Sequence, residues 1–191
     1  MSGFEIITIT FSFILGLGMT QILRSVAYVV REREQYRIHW IPLSVAALIL
    51  AFQIQYWFAL VIVDSFLDQW SWPVYSVLLF LAIVIFLSGA TVLPPSGSSK
   101  TSNLIEDFET RGKVCLLFFA SYFIGWNVVA IMFWSLSDFV PLVIVNLVMA
   151  TFLVLAFFVQ NQRMRSLLHG SLIVITIYGL ATVWATPSLE W

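Results

Sequence analysis

The sequence predicts an all-α integral membrane protein: six transmembrane helices, both termini outside the cytoplasm, and a short cytoplasmic amphipathic helix before the fourth span. Composition is the first of three observations behind this. The chain is 61% hydrophobic and 10% charged, with mean hydropathy +0.98, against roughly 25% charged residues in soluble domains. A soluble core of 191 residues could not hide that much apolar surface, so lipid must be the solvent for most of it. The second observation is a set of continuous apolar runs, at residues 4–24, 40–63, 74–92, 114–136, 139–159 and 167–186. Each comes close to the roughly 20 residues that a helix needs to cross about 30 Å of hydrocarbon. None alternates with period two, as barrel strands would. Charge placement is the third. Arg24, Arg31, Arg33 and Arg37 separate the first run from the second; Lys100, Arg111 and Lys113 separate the third from the fourth; Arg163 and Arg165 separate the fifth from the sixth. The alternate connections and both tails hold no Lys or Arg, the distribution that positive-inside insertion produces.

The start of the chain lacks the basic n-region of a secretory signal, so the first run reads as a retained span. Its helix is expected to run past the membrane surface through Val30-Arg31-Glu32-Arg33-Glu34, where mixed charges without a breaker suit a solvated helix. Arg24 can snorkel toward the headgroups. Pro42 and Pro141 fall in the first turns of the second and fifth spans, and Pro73, Pro94, Pro95 and Pro187 at helix ends, where proline costs least. Trp40 marks the inner boundary, and Trp70, Trp72, Trp134, Trp184 and Trp191 the outer one, as an aromatic belt requires. The middle of the third span, from Leu78 to Leu87, is wholly apolar, so that helix is expected to face lipid or a partner.

A cytoplasmic linker covers 94–113 and begins with the Pro/Ser/Gly-rich stretch 94–101. Asn103 followed by Glu106 has the form of a helix N-cap with an acidic third residue. Leu104, Ile105 and Phe108 then share a face, so residues 103–111 are expected to lie as an amphipathic helix on the inner membrane surface. Cys115 is the one cysteine, which excludes an intramolecular disulfide and a multi-cysteine metal site. Residues 1–191 then form a single membrane domain, with little room for an extramembrane catalytic module.

Two passages resemble each other's counterparts in a group of small, functionally uncharacterised bacterial inner-membrane proteins. They are Gly16-Leu17-Gly18-Met19-Thr20-Gln21-Ile22-Leu23 and Gln53-Ile54-Gln55-Tyr56-Trp57, together with the acidic, aromatic segment 105–111. The resemblance implies a bacterial plasma membrane and carries no activity with it.

An ionisable residue at depth is the default pointer to an ion or proton path, and the six runs hold none near the midplane. Glu5, Asp64, Asp138 and Glu190 sit at outer ends, and Arg24, His39 and His169 at inner ones. Proton-coupled transport is therefore disfavoured. What remains at depth is amide chemistry. Counted from their inner boundaries at 1.5 Å per residue, Gln53, Asn127 and Asn146 all fall roughly 20 Å in, with Thr10 and Tyr178 at similar depth. These groups can line a small polar cavity, with Gln21 and Gln55 on either side of it, or serve as interhelical hydrogen-bond glue. Ser12, Gly16 and Thr20 form a small-xxx-small ridge suited to helix packing, within the chain or across a dimer seam. A vestibule of Glu5, Asp64, Asp68, Asp138 and Glu190 would concentrate cations, although basic residues are kept from that side by insertion alone. His39 and His169 invite a bis-histidine haem, but nothing makes their helices adjacent; ordinary interfacial histidines are the plainer expectation.

No HExxH, GxSxG, paired intramembrane Asp or phosphate-binding glycine loop is present, so no enzyme, metal or cofactor is expected. The functional expectation is a channel or permease-like protein for a neutral or zwitterionic small solute. The alternative is a non-catalytic subunit of a larger membrane complex, favoured by the apolar third helix, the small-residue ridge and the small extramembrane mass. The expected partners are the lipid bilayer and either further copies of the chain or another membrane protein, with no nucleic acid.

Overall fold

The computed structural model describes residues 3–34, 37–65, 70–95, 103–133, 136–159 and 161–185, without the side chains of 3, 4, 6, 133, 136–139, 141, 162, 165 and 178–185. All regular structure among them is helical: α1 (Gly3–Arg31), α2 (Trp40–Ser65), α3 (Trp72–Val92), α4 (Leu104–Thr110), α5 (Cys115–Phe133), α6 (Leu136–Phe158) and α7 (Gln162–Ala185), with a 3-10 turn at Gly112–Val114. Four stretches among the described residues are long and apolar enough to cross a membrane: Ile7–Arg31, Trp40–Ser65, Trp72–Val92 and Gly112–Met132. The described apolar stretches of α6 and α7, Leu142–Phe158 and Ser166–Ile177, are shorter. The chain is a membrane protein. Phe13, Leu17, Trp72, Ile131, Phe158 and Val174 are exposed on its flanks, a surface suited to lipid.

α1 is 29 residues long, about 44 Å at 1.5 Å per residue, so it outruns the hydrocarbon. Its last turn continues beyond Arg31, with Glu32 N–H donating to Tyr28 O at 3.0 Å. The helix reaches the charged segment but ends at Arg31, and Glu32–Glu34 form a turn, so the expected helical run through Glu34 is only partly realised.

The third helix is not peripheral. α3 packs against α1, α2 and α5 at once, and Leu78, Leu81, Ala82, Ile85, Ser88 and Gly89 are buried along it. This corrects in part the expectation that its apolar middle faces lipid or a partner: neighbours cover one side, while Phe80 and Ile83 stay exposed on the other. The reason is physical: lipid tails are as apolar as leucine, so an absence of polar groups says nothing about which way a membrane helix faces. Close approach decides instead. A Cβ on Gly89 would lie 2.8 Å from Ile22 Cδ1, one on Gly18 would lie 2.6 Å from Gln53 Nε2, and one on Gly125 would overlap Leu81 Cδ2. Glycine at these crossings lets α1, α2 and α5 close on α3.

The ridge of Ser12, Gly16 and Thr20 is not the seam within the chain. Gly16 and Thr20 are exposed and Ser12 is half-buried, and nothing lies within 4 Å of a Cβ placed on Gly16. Thr20 Oγ1 donates to its own helix at Gly16 O, 2.7 Å away. Gly18, two residues further and so on another face, makes the close contact.

The three basic stretches meet at one end of the bundle. Leu104 N–H donates to Arg37 O at 3.2 Å, and a parallel bridge joins Arg37 to Asn103. Lys113 Nζ donates to Val159 O at 3.4 Å and stands 5.6 Å over the Phe157 ring. Asn103 caps α4, its side-chain oxygen accepting from Ile105 N–H at 3.3 Å. The apolar face of α4 points into the protein: Leu104 and Phe108 are buried, and Phe108 stands 6.4 Å from the His169 ring. The helix therefore packs into the end of the bundle, with Phe108 beside Gly112, and Asp107 is buried along with Leu104 and Phe108.

Candidate functional site

A helix turns about 100° per residue, so side chains two positions apart point almost oppositely. Gln53 and Gln55 are such a pair, and α2 sends them to different neighbours. Gln53 is fully buried toward α1 and α3, where its Nε2 donates to Ile85 O at 3.3 Å and its Oε1 has no hydrogen-bond partner. Tyr56, one turn on, donates its hydroxyl to Leu78 O at 2.7 Å. Both side chains tie α2 to the backbone of α3. Gln53 is thus placed as glue.

Gln55 faces the other way, into a cavity of about 210 Å³ between α2, α5 and α6. α2 supplies Phe52, Gln55 and Ala59 to its wall; α5 supplies Tyr122, Phe123 and Trp126; α6 supplies Leu142 and Asn146. Asn146 occupies the same stripe as the buried Met149, Ala150 and Leu153, which turns it toward α5. There its Nδ2 donates to Asn127 Oδ1 at 3.1 Å. Asn127 and Asn146 are each more than nine-tenths buried, so this amide pair is a dry one.

The structure therefore brings together two of the three amides expected in one layer and separates the third. Gln21 is half-buried on α1 and contributes nothing to the cavity wall. The Tyr178 side chain lies outside the described residues, as do Asp68, Glu190 and the Asp138 side chain. Of the acidic outer groups, Asp64 accepts from Trp70 Nε1–H at 2.8 Å, which ties the end of α2 to the following loop. The two histidines sit in different environments. His169 is buried, contrary to its expected surface position, while His39 Nδ1 accepts from Ile41 N–H at 3.3 Å and its ring stacks on Trp40.

Aromatic residues are the part of the site that residue-by-residue polarity did not reveal. Phe119, Tyr122, Phe123 and Trp126 fall at the i, i+3, i+4, i+7 spacing of one helix face, and that periodicity was the available signal. Phe52 inserts among them, 4.9 Å from Phe123 at 82° and 5.4 Å from Phe119 at 71°. Tyr122 and Trp126 meet at 6.2 Å and 81°. These edge-to-face contacts are the arrangement that ring quadrupoles favour. Among the described residues lining the cavity none carries a charge, and Gln55, Asn146, Tyr122 and Trp126 are those with polar side-chain atoms. Chemically it can hold a small molecule by apolar contact and a few hydrogen bonds.

No family model, curated protein or solved structure matches the chain.

Proposed function

We propose that the chain is a small permease-like or channel protein of a bacterial plasma membrane, with six spans and both termini on the outer side. In this reading the cavity between α2, α5 and α6 is the solute site, and the solute carries no net charge. The single observation that supports it most is the junction of an apolar, ring-lined cavity with the half-buried amide of Gln55 and the buried one of Asn146, the form that small-molecule sites take. The meeting of all three basic stretches at one end supports the topology, since positive-inside insertion would keep that end cytoplasmic. Relative to the expected amide layer, Gln55 replaces Gln53 as the cavity-facing glutamine of α2.

Flux through reconstituted vesicles tests the proposal. Gln55→Leu combined with Asn146→Leu should abolish flux of a permeant neutral solute, whereas Gly16→Ala, on the open flank, should leave it intact. Equal flux in the double variant and the parent would sink the proposed site.

The reading as an accessory subunit retains one specific support, the exposed Gly16 and Thr20, which a partner helix or a second copy could approach closely. The central place of α3 weakens the argument from its apolar middle, of which only Phe80 and Ile83 stay exposed. Stoichiometric co-purification with a different membrane protein would favour the subunit; a defined homo-oligomer would count against it.

A further inference from the structure

We propose that Lys113, with Arg111 and Arg163 beside it, holds the headgroup phosphate of an anionic phospholipid from the leaflet at the basic end of the bundle. Such a lipid site requires only that the chain spans a bilayer, and it stands apart from the cavity and its solute.

Lys113 lies in the 3-10 turn that leads into α5, and its stem crosses to the end of α6. The side chain is half-buried there. Its ammonium stands 5.6 Å over the Phe157 ring and makes one long bond, 3.4 Å, to Val159 O. An ammonium offers several donors, and among the described residues no carboxylate pairs with this one. A cation partly withdrawn from water is costly without an opposite charge, and a lipid phosphate at headgroup level supplies it. Further positive charge flanks the spot. Arg111 lies two residues before Lys113, at the C-cap of α4, and Arg163 lies four residues past Val159, in the first turn of α7. Both arginines are exposed, and among the described residues neither enters a salt bridge. The acidic residues of this end, Glu106, Asp107 and Glu109, belong to α4, whereas the Lys113 ammonium sits at α6. Apolar surface adjoins the cations: Leu155 and Phe158 are exposed one turn apart on α6, and Val114 is exposed next to Lys113. Acyl chains cover that surface while the phosphate meets the ammonium. A free anion would leave it bare. Basic pockets between spans are where anionic headgroups bind.

Native mass spectrometry of the full chain in detergent tests this by titration with dioleoyl phosphatidylglycerol or dioleoyl phosphatidylcholine. The two lipids share acyl chains and phosphate, but choline cancels the charge of the second. The first phosphatidylglycerol should bind about five-fold more tightly than the first phosphatidylcholine, the worth of one basic residue near an anionic headgroup. Lys113→Gln should remove that preference and Lys113→Arg should keep it, which separates lost charge from a folding defect. Arg163→Gln, a change at an exposed position, should lower the preference about two-fold. Arg31→Gln, a basic residue on α1 outside the site, should leave it intact. Phosphatidylglycerol carrying a diazirine on its acyl chain should label α6 around Leu155 and Phe158. Equal binding of the two lipids, a preference that survives Lys113→Gln, or Arg31→Gln as damaging as Lys113→Gln would overturn the proposal. So would inorganic phosphate displacing the lipid at equal concentration, which would make the spot a free-anion site.

Discussion

Gly125 and Gly16 are both helical glycines in an apolar setting, yet their surroundings assign them opposite sensitivity. A Cβ on Gly125 meets Leu81, and one on Gly16 meets nothing within 4 Å. Gly125→Ala should therefore cost about 1–3 kcal/mol through overpacking at the α3–α5 crossing, while Gly16→Ala should stay within about 0.5 kcal/mol of the parent. Reversible unfolding in mixed micelles measures both, and equal costs would mean that the crossing is not as close as described. The Asn127–Asn146 contact has its own test. A double-mutant cycle with Asn127→Leu and Asn146→Leu should return a coupling of about 0.6–1.7 kcal/mol, the range of interhelical hydrogen bonds in membranes. Zero coupling would free both amides for the cavity. The sequence shows these amides at matching depths. It does not show that Gln53 turns to α3 and Gln55 to the cavity, since that depends on how α2 is rotated, and the low moment of a helix apolar all round leaves rotation unmarked.

At the scale of the element, α4 is where local signals and tertiary packing agree in part. The cap at Asn103 and the apolar face of Leu104 and Phe108 were legible as residue types at helical spacing. The destination of that face was not, because a membrane surface and a socket of protein attract it equally. Phe108 is buried in the protein, so Phe108→Ala should detach the helix, and Asn103→Ala should weaken it by about 0.5–2 kcal/mol, the worth of a lost N-cap. Hydrogen exchange checks this: amides of Leu104–Thr110 should lose protection in both variants, more in the first, with α5 unchanged. Loss of protection throughout α5 would mean that α4 is part of the global core. For α3 the sequence was misleading for a related reason. Its apolar middle suits lipid and core alike, and the glycines that mark it as central lie partly on other helices, at Gly18 and Gly125.

For the whole molecule, the positions of the basic residues remain the most informative sequence feature. They predict that three loops share a side, and the contacts from Leu104 to Arg37 and from Lys113 to Val159 bring those loops to one end. Cys115 is fully buried, so the native thiol should stay silent to a membrane-impermeant maleimide. Glu34→Cys should then label only from the cytoplasmic face, and Glu5→Cys only from the outside. Labelling of both from one face would reject the proposed topology.

The bond from the Leu104 amide to the Arg37 carbonyl also sets a timetable for biogenesis. Arg37 leaves the ribosome before α2 begins, whereas its partner follows the whole of α3. At about 5–20 residues per second, the first loop waits several seconds for its lock. The basic end of the bundle stays unlatched through that interval, and α4 closes it only after α3 has been made. A chain stalled just before Asn103 should therefore present Arg37 to added protease, and a chain released beyond α5 should shield it.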